Sequence, residues 1–341
     1  MTAAGARFSA VREAVAVLGG GSLSVPDYSA FLAEQYLADY LPAGGAAVKM
    51  AVAGTPETAA RLQRAVGAAA DATGCLFVAV SAQDVRLDQV EQLLFAVARE
   101  VDWDALAAAM VRAAYDEVNM PAGAGLTVAE VAGAHGMDPR ELYRSVRREL
   151  EERLLRDPAL ARELGRAVFR LAQAQLGSSD VDRAERDAVL GWLRGEKVPA
   201  AALRPALIHS RIGRHNARHL LLALSRLLLA AGHSGLVLCL DYARLAESRR
   251  PPLEQRTGVY YSKAAVLDAF EVLRQLIDAT DEMRGVLALA VVPPGLVTDE
   301  ARGLPSYTAL QLRVADEVRD RRRANPFAAL VRLEVRLEAV P

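Results

Sequence analysis

Residues 235–241 read Gly-Leu-Val-Leu-Cys-Leu-Asp, four apolar side chains and a cysteine running without a break into Asp241. Such a run has no polar face to turn toward water. It reads as a strand buried on both sides, the kind found in parallel sheets covered by helices. Three more runs have the same character, at 47–53, 75–80 and 285–292, and a fifth strand is expected at 328–333. Between them the apolar spacing is helical, over 59–72, 87–116, 214–231, 262–280 and 306–322. Strands alternating with helices predict a doubly wound α/β sheet, mostly parallel, with helices on both faces.

The stretch from about 126 to 194 is helical throughout, with turn signals at Gly123, Pro158 and Gly177-Ser178-Ser179, so a helical insert interrupts the sheet. The expected organisation is N-terminal helices in 1–45, the first part of the core in 46–120, the insert in 121–200 and the second part in 201–341. An amphipathic helix is expected over 7–18, ended by Gly19-Gly20-Gly21, and a second from Tyr28 to Leu41 with Asp27 as its cap.

Composition narrows the function classes. At 52% hydrophobic residues, 341 residues build a real core. Lys and Arg number 41 against 42 Asp and Glu, so no global field draws the chain to nucleic acid or a membrane, and any such contact is local. The two cysteines, Cys75 and Cys239, sit in strand-like runs as small buried hydrophobes, without metal-ligand spacing. No basic-then-apolar leader opens the chain, and its longest apolar segments, such as Leu220–Leu229, are too short and interrupted to span a bilayer. A cytoplasmic protein is expected.

An acidic residue at the carboxyl end of a buried strand is where P-loop NTPases hold the magnesium of ATP. Those enzymes also need G-x-x-x-x-G-K-[ST], whose lysine reaches the β- and γ-phosphates. Here Lys49, Lys197 and Lys263 follow Val, Glu and Ser, so none closes a phosphate loop. The segment Ala53-Gly54-Thr55-Pro56-Glu57-Thr58-Ala59 has the right context, a strand before and a helix after. Yet it holds one glycine, and Glu57 stands where it repels phosphate. A plain connection capped by Thr55 or Thr58 is predicted.

An ordered series of segments carries a resemblance: Gly191-Trp192-Leu193-Arg194-Gly195-Glu196, Ile212–Ala217, Ala231–Asp241, Glu271–Asp278 and Ser306–Arg313. Together they resemble the BREX-type ATP-binding proteins of bacterial phage-defence islands, a branch of the AAA+-like P-loop ATPases. The likeness covers roughly residues 30 to 335 and is most specific between about 190 and 315. It implies a P-loop NTPase-like core, with Gly54, Thr55, Thr58 and Asp241 as the remains of the nucleotide site. Where the family has a full loop with lysine, this chain is shortened. Where the family has Asp-Glu after the second motif strand, this chain has Asp241-Tyr242. The family's helical lid is not expected after the strand at 328–333. The implied protein is a pseudo-ATPase, a regulatory or scaffold subunit of an antiphage defence complex. Its expected partner is an intact ATPase paralogue or another defence subunit, in a hetero- or homo-oligomer. No catalytic residue, metal or cofactor is expected, with magnesium-ATP bound weakly at most. In such ATPases an arginine after the fourth strand can complete a neighbour's site, which makes Arg302 and Arg313 candidates, against surface ion pairing with Glu300 or Asp316. The alternative is a weak ATPase with an atypical phosphate loop.

A further alternative is DNA binding. Residues 126–146 follow a helix-turn-helix pattern, with Ala132 at the crossing, Gly136 in the turn, and Val128, Val131, Met137 and Leu142 as core. The second helix would present Arg140, Arg144, Arg147 and Arg148, against Glu141, Glu149, Glu151 and Glu152 that dilute the charge. His215 and His219 have i, i+4 spacing but no third ligand nearby, so a basic surface with Arg211, Arg214 and Arg218 is expected there. The basic run Arg319–Arg323 suits the C-terminal end of a helix.

Overall fold

A computed structural model describes residues 21–123, 125–177, 180–250, 252, 254, 257–315 and 324–334. The expected helix over 7–18 and the basic run at 319–323 lie outside the described residues. The chain divides into two compact units, Met1–Leu93 with Ser234–Pro341, and Leu94–His233.

The first unit holds a six-stranded sheet in which every recorded pairing is parallel. Its strands are β1 (Leu23–Ser24), β2 (Ala46–Ala53), β3 (Cys75–Ser81), β4 (Gly235–Asp241), β5 (Val286–Val292) and β6 (Leu330–Glu334). They run in the order β1-β6-β2-β5-β4-β3. The apolar runs fall where the sequence puts them, because β4 and β5 are covered on both sides and every residue of β5 is buried. Helix α1 (Val25–Leu32) and α2 (Pro56–Thr73) pack on one face, in a cluster with Ala51, Val237, Cys239, Leu287 and Leu289. The alternate residues Met50, Val52, Leu236, Leu238, Ala288 and Ala290 are buried as well. Helix α11 (Lys263–Asp278) and the short α12 (Pro294–Thr298) touch β2 and contribute nothing to that first cluster, so they cover the second face. A last helix, α13 (Thr308–Val314), packs on α11.

The second unit is helical: α4 (Trp103–Glu117), α5 (Val128–His135), α6 (Pro139–Leu155), α7 (Arg162–Gln175), α8 (Arg183–Leu193), α9 (Ala200–Leu203) and α10 (Ala217–Ala230). Helix α3 (Val90–Glu100) crosses the boundary between the units. The helical unit is wider at both ends than the expected insert over 121–200.

Three local expectations are corrected. The first helix is capped by Ser24, whose Oγ accepts the Asp27 N–H at 3.2 Å; Pro26 in the first turn sets the start earlier than Asp27. The apolar stretch over 87–116 is two helices, because Asp102 accepts the Ala105 N–H at 2.9 Å and caps a new one. Helix α10 starts at Ala217, so His215 precedes it and the two histidines do not share a helix. No helix among the described residues is long and apolar enough to cross a membrane.

Candidate functional site

Gly54 and Thr55 follow the carboxyl end of β2, and Asp241 ends β4, with β5 between the two strands. Asp241 is in register with Val291, which pairs with Ala51, so the ends of β4 and β2 flank the end of β5 at nearly one level. Ligands of open α/β sheets bind beyond this edge. The candidates lie along that edge.

The turn from β2 to α2 consists of Gly54 and Thr55 alone. The first N–H groups of a helix have no partner within it and are what a phosphate would use. Here two of them are already removed or used. Pro56, at the first helical position, has no N–H. The Thr58 N–H donates to Thr55 Oγ1 at 3.2 Å, and the two threonine hydroxyls lie 3.1 Å apart. Thr55 is thus the cap, as one of the two expected threonines. Glu57 is exposed in the first turn, and its own backbone N–H and the Thr55 hydroxyl hold its carboxyl below the usual range. The lysine of β2 is committed elsewhere: Lys49 is buried, and its Nζ donates to Phe327 O at 2.5 Å and Ala328 O at 3.2 Å.

Asp241 is half-buried, and its Oδ1 accepts the Ala243 N–H at 2.9 Å in a local turn. Tyr242, which stands where the resemblance implies a second acid, is fully buried. Burial drives its phenol well above the ordinary value, and its hydroxyl has no hydrogen-bond partner among the described residues. A side chain so enclosed cannot position water at an open site.

The two trans-acting candidates fare differently. Arg302 is only 8% exposed. Its Nη2 donates to Leu245 O at 3.2 Å and Tyr261 O at 2.9 Å, so it ties two loops inside the fold and is not presented to a neighbour. Arg313 is exposed but paired. Its Nε donates to Asp278, its Nη2 to Asp278 at 3.0 Å and its Nη1 to Ala309 O at 2.7 Å. Among the described residues the partner is Asp278 and not Glu300, and Asp316 lies outside them. Asp278 also binds Arg274, which forks onto Glu271, and Tyr307 donates to Glu271. The segments Glu271–Asp278 and Ser306–Arg313, read separately in the sequence, are two sides of one charged network. The Arg274 guanidinium holds the Glu271 carboxyl down at about 2.

One feature escaped the sequence reading. A cavity of about 480 Å³ is lined by Arg86, Arg244, Arg250, Thr257, Tyr260 and Ser262 among the described residues; Arg86 pairs with Asp88 at 2.7 Å and Arg244 with Glu247 at 2.5 Å. It is built from the segments after β3 and β4. Arg244 is fixed by Val259 O at 2.8 Å and Thr257 O at 2.7 Å, and Arg250 lies 5.6 Å over the Tyr260 ring. The signal was the polar loop Ser248-Arg249-Arg250-Pro251-Pro252, which gives no hint that Arg86 joins it.

In the helical unit Arg140, Arg144 and Arg148 are exposed on α6, whereas Arg147 pairs with Glu151 at 3.0 Å. Val131 and Leu142 are buried as expected, and Val128 and Met137 only half so.

The fold is thus that of a parallel, nucleotide-binding-like α/β protein with a helical unit between its third and fourth strands. A family model described as BREX system ATP-binding protein BrxC/D matches residues 125–338, more than half of the chain. The chain belongs to that family. The match begins beyond the turn at Gly54. No curated protein and no solved structure matches the chain.

Proposed function

We propose that this chain is a non-hydrolysing subunit of a BREX-type defence complex, a pseudo-ATPase that regulates or scaffolds an intact relative. The observation that carries this reading is the short turn: a two-residue connection without a lysine, followed by a helix start in which Pro56 lacks an N–H, Thr55 caps the Thr58 N–H and Glu57 adds negative charge. Loss of the loop lysine and of the acid after Asp241 removes two electrostatic terms, each worth about 3 kcal/mol of transition-state stabilisation. The test is ATP turnover by the purified chain with magnesium, expected to equal the buffer blank. Turnover that Asp241→Ala abolishes would overturn the reading. Mixing with an intact paralogue from the same locus tests the partnership: a stable complex is expected on size-exclusion chromatography, and its absence would remove the scaffold role.

A second reading, nucleotide binding through an atypical loop, is favoured by the arginine-lined cavity. Arginines recognise phosphate through forked donors, and an aromatic ring can carry a base. The two readings separate by mutation. Binding at the cavity is weakened by Arg250→Ala and indifferent to Asp241→Asn.

A further inference from the structure

We propose that the α5–α6 hairpin binds double-stranded DNA, with Arg140, Arg144 and Arg148 on the backbone and groove. This goes beyond the reading of the sheet and does not depend on it.

The local geometry is that of two helices joined by a tight turn. Residues 136–138 connect them, within the length a helix-turn-helix uses. Gly136 takes φ +64°, which favours glycine, and the Met137 N–H closes onto Ala132 O at 2.9 Å. Ala132 is fully buried where the helices meet, with Val131, Leu142 and Val146 beside it. Both helix starts are fixed. Thr127 and Glu130 form a reciprocal capping box, and Asp138 Oδ1 accepts the N–H groups of Arg140 at 3.0 Å and Glu141 at 3.1 Å. The second helix is therefore held rigidly at its N-terminal end, the end that reads base edges in such motifs.

The charge on α6 is sorted. In the sequence four glutamates stand against its arginines. In the structure Glu151 pairs with Arg147 at 3.0 Å, Glu149 with Arg153 at 2.5 Å and Glu152 with Arg156 at 2.8 Å. Arg153 also reaches Glu117 at 2.9 Å. Those pairs use none of Arg140, Arg144 and Arg148, which stay exposed. Arg144 spends one donor on Arg140 O at 3.3 Å and keeps the rest of its guanidinium. Glu141 is the one carboxylate of α6 without a recorded arginine partner among the described residues. Positions 140, 144 and 148 lie one above another on one face. At 1.5 Å per residue they span about 12 Å, close to the width of the major groove.

The experiment is fluorescence anisotropy of the full chain with a labelled duplex of about 20 base pairs, titrated at low and fourfold higher salt. Three phosphate contacts give a slope near −2.7 in log–log form, a loss of roughly 40-fold over that range. Arg140→Ala, Arg144→Ala and Arg148→Ala together should weaken binding at least tenfold and flatten the slope. The three Arg→Lys changes should keep most of it. Arg183→Ala, at a 94% exposed side chain on α8, should leave binding unchanged. Circular dichroism of the triple variant checks that the helices persist; if they do not, the comparison of the three-lysine variant with Arg183→Ala decides. Absence of binding, salt-independent binding, equal loss with Arg183→Ala, or preference for a single strand or for RNA would each overturn the proposal.

Discussion

At the scale of single residues, the Gly54–Thr58 turn is short and capped from within. Pro56 lacks an N–H, and Thr55 accepts that of Thr58. Thr55→Ala should cost about 1 kcal/mol of unfolding free energy, read from urea denaturation, because the Thr58 N–H loses its cap. A stability unchanged within error would show that the cap is not formed. Tyr242 yields a sharper expectation. Tyr242→Glu restores the acid that the family resemblance implies at this position, yet it buries a carboxylate in a site with no exposure. It should lower stability by several kcal/mol and give no ATP turnover, whereas Tyr242→Phe, which removes a hydroxyl without a hydrogen-bond partner among the described residues, should be near neutral. The short turn and the missing lysine were legible in the sequence, since both are matters of spacing and residue type. The burial of Tyr242 and Arg302 was not. A tyrosine after a strand and an arginine in a loop face inward or outward according to what covers them, and the covering residues, such as Leu245 and Tyr261, come from distant segments.

At the scale of elements, strands were easier to read than helix limits. A strand buried on both faces writes itself as an apolar run, so β4 was found to the residue. Helical spacing continues across a break, so the Asp102 cap between α3 and α4 went unseen, and the two-residue β1 is too short for any pattern. Pairing between elements was the least legible, because Arg313 and Asp278 lie on separate helices. The Glu271–Arg274–Tyr307 network makes a pH prediction. Glu271 titrates at about 2 in the fold against an ordinary value of 4.5. A carboxyl depressed by folding contributes stability that is present above the ordinary value and is lost as pH falls toward the folded one. Glu271→Gln should therefore flatten the stability curve between about pH 4.5 and pH 2, measured by thermal unfolding across pH. An unchanged acid limb would show that the network does not bind the charged form. Arg313→Ala, at a partly exposed pair, should cost under about 1 kcal/mol.

At the scale of the whole molecule, the sheet unit and the helical unit carry different chemistry. The sheet unit has the parallel pairing of a nucleotide-binding-like fold, with β2 and β5 at its centre. Amides of these two strands should exchange most slowly with deuterium, since their opening requires global unfolding. The helical unit carries the arginine face of α6, and none of its recorded ion pairs draws on that face. The most direct measurement is equilibrium titration of the full chain with a fluorescent ATP analogue, with and without magnesium, on wild type and Asp241→Asn. A turn of two residues without a loop lysine predicts no binding that needs both magnesium and Asp241. Saturable binding that requires magnesium and is lost in Asp241→Asn would contradict it.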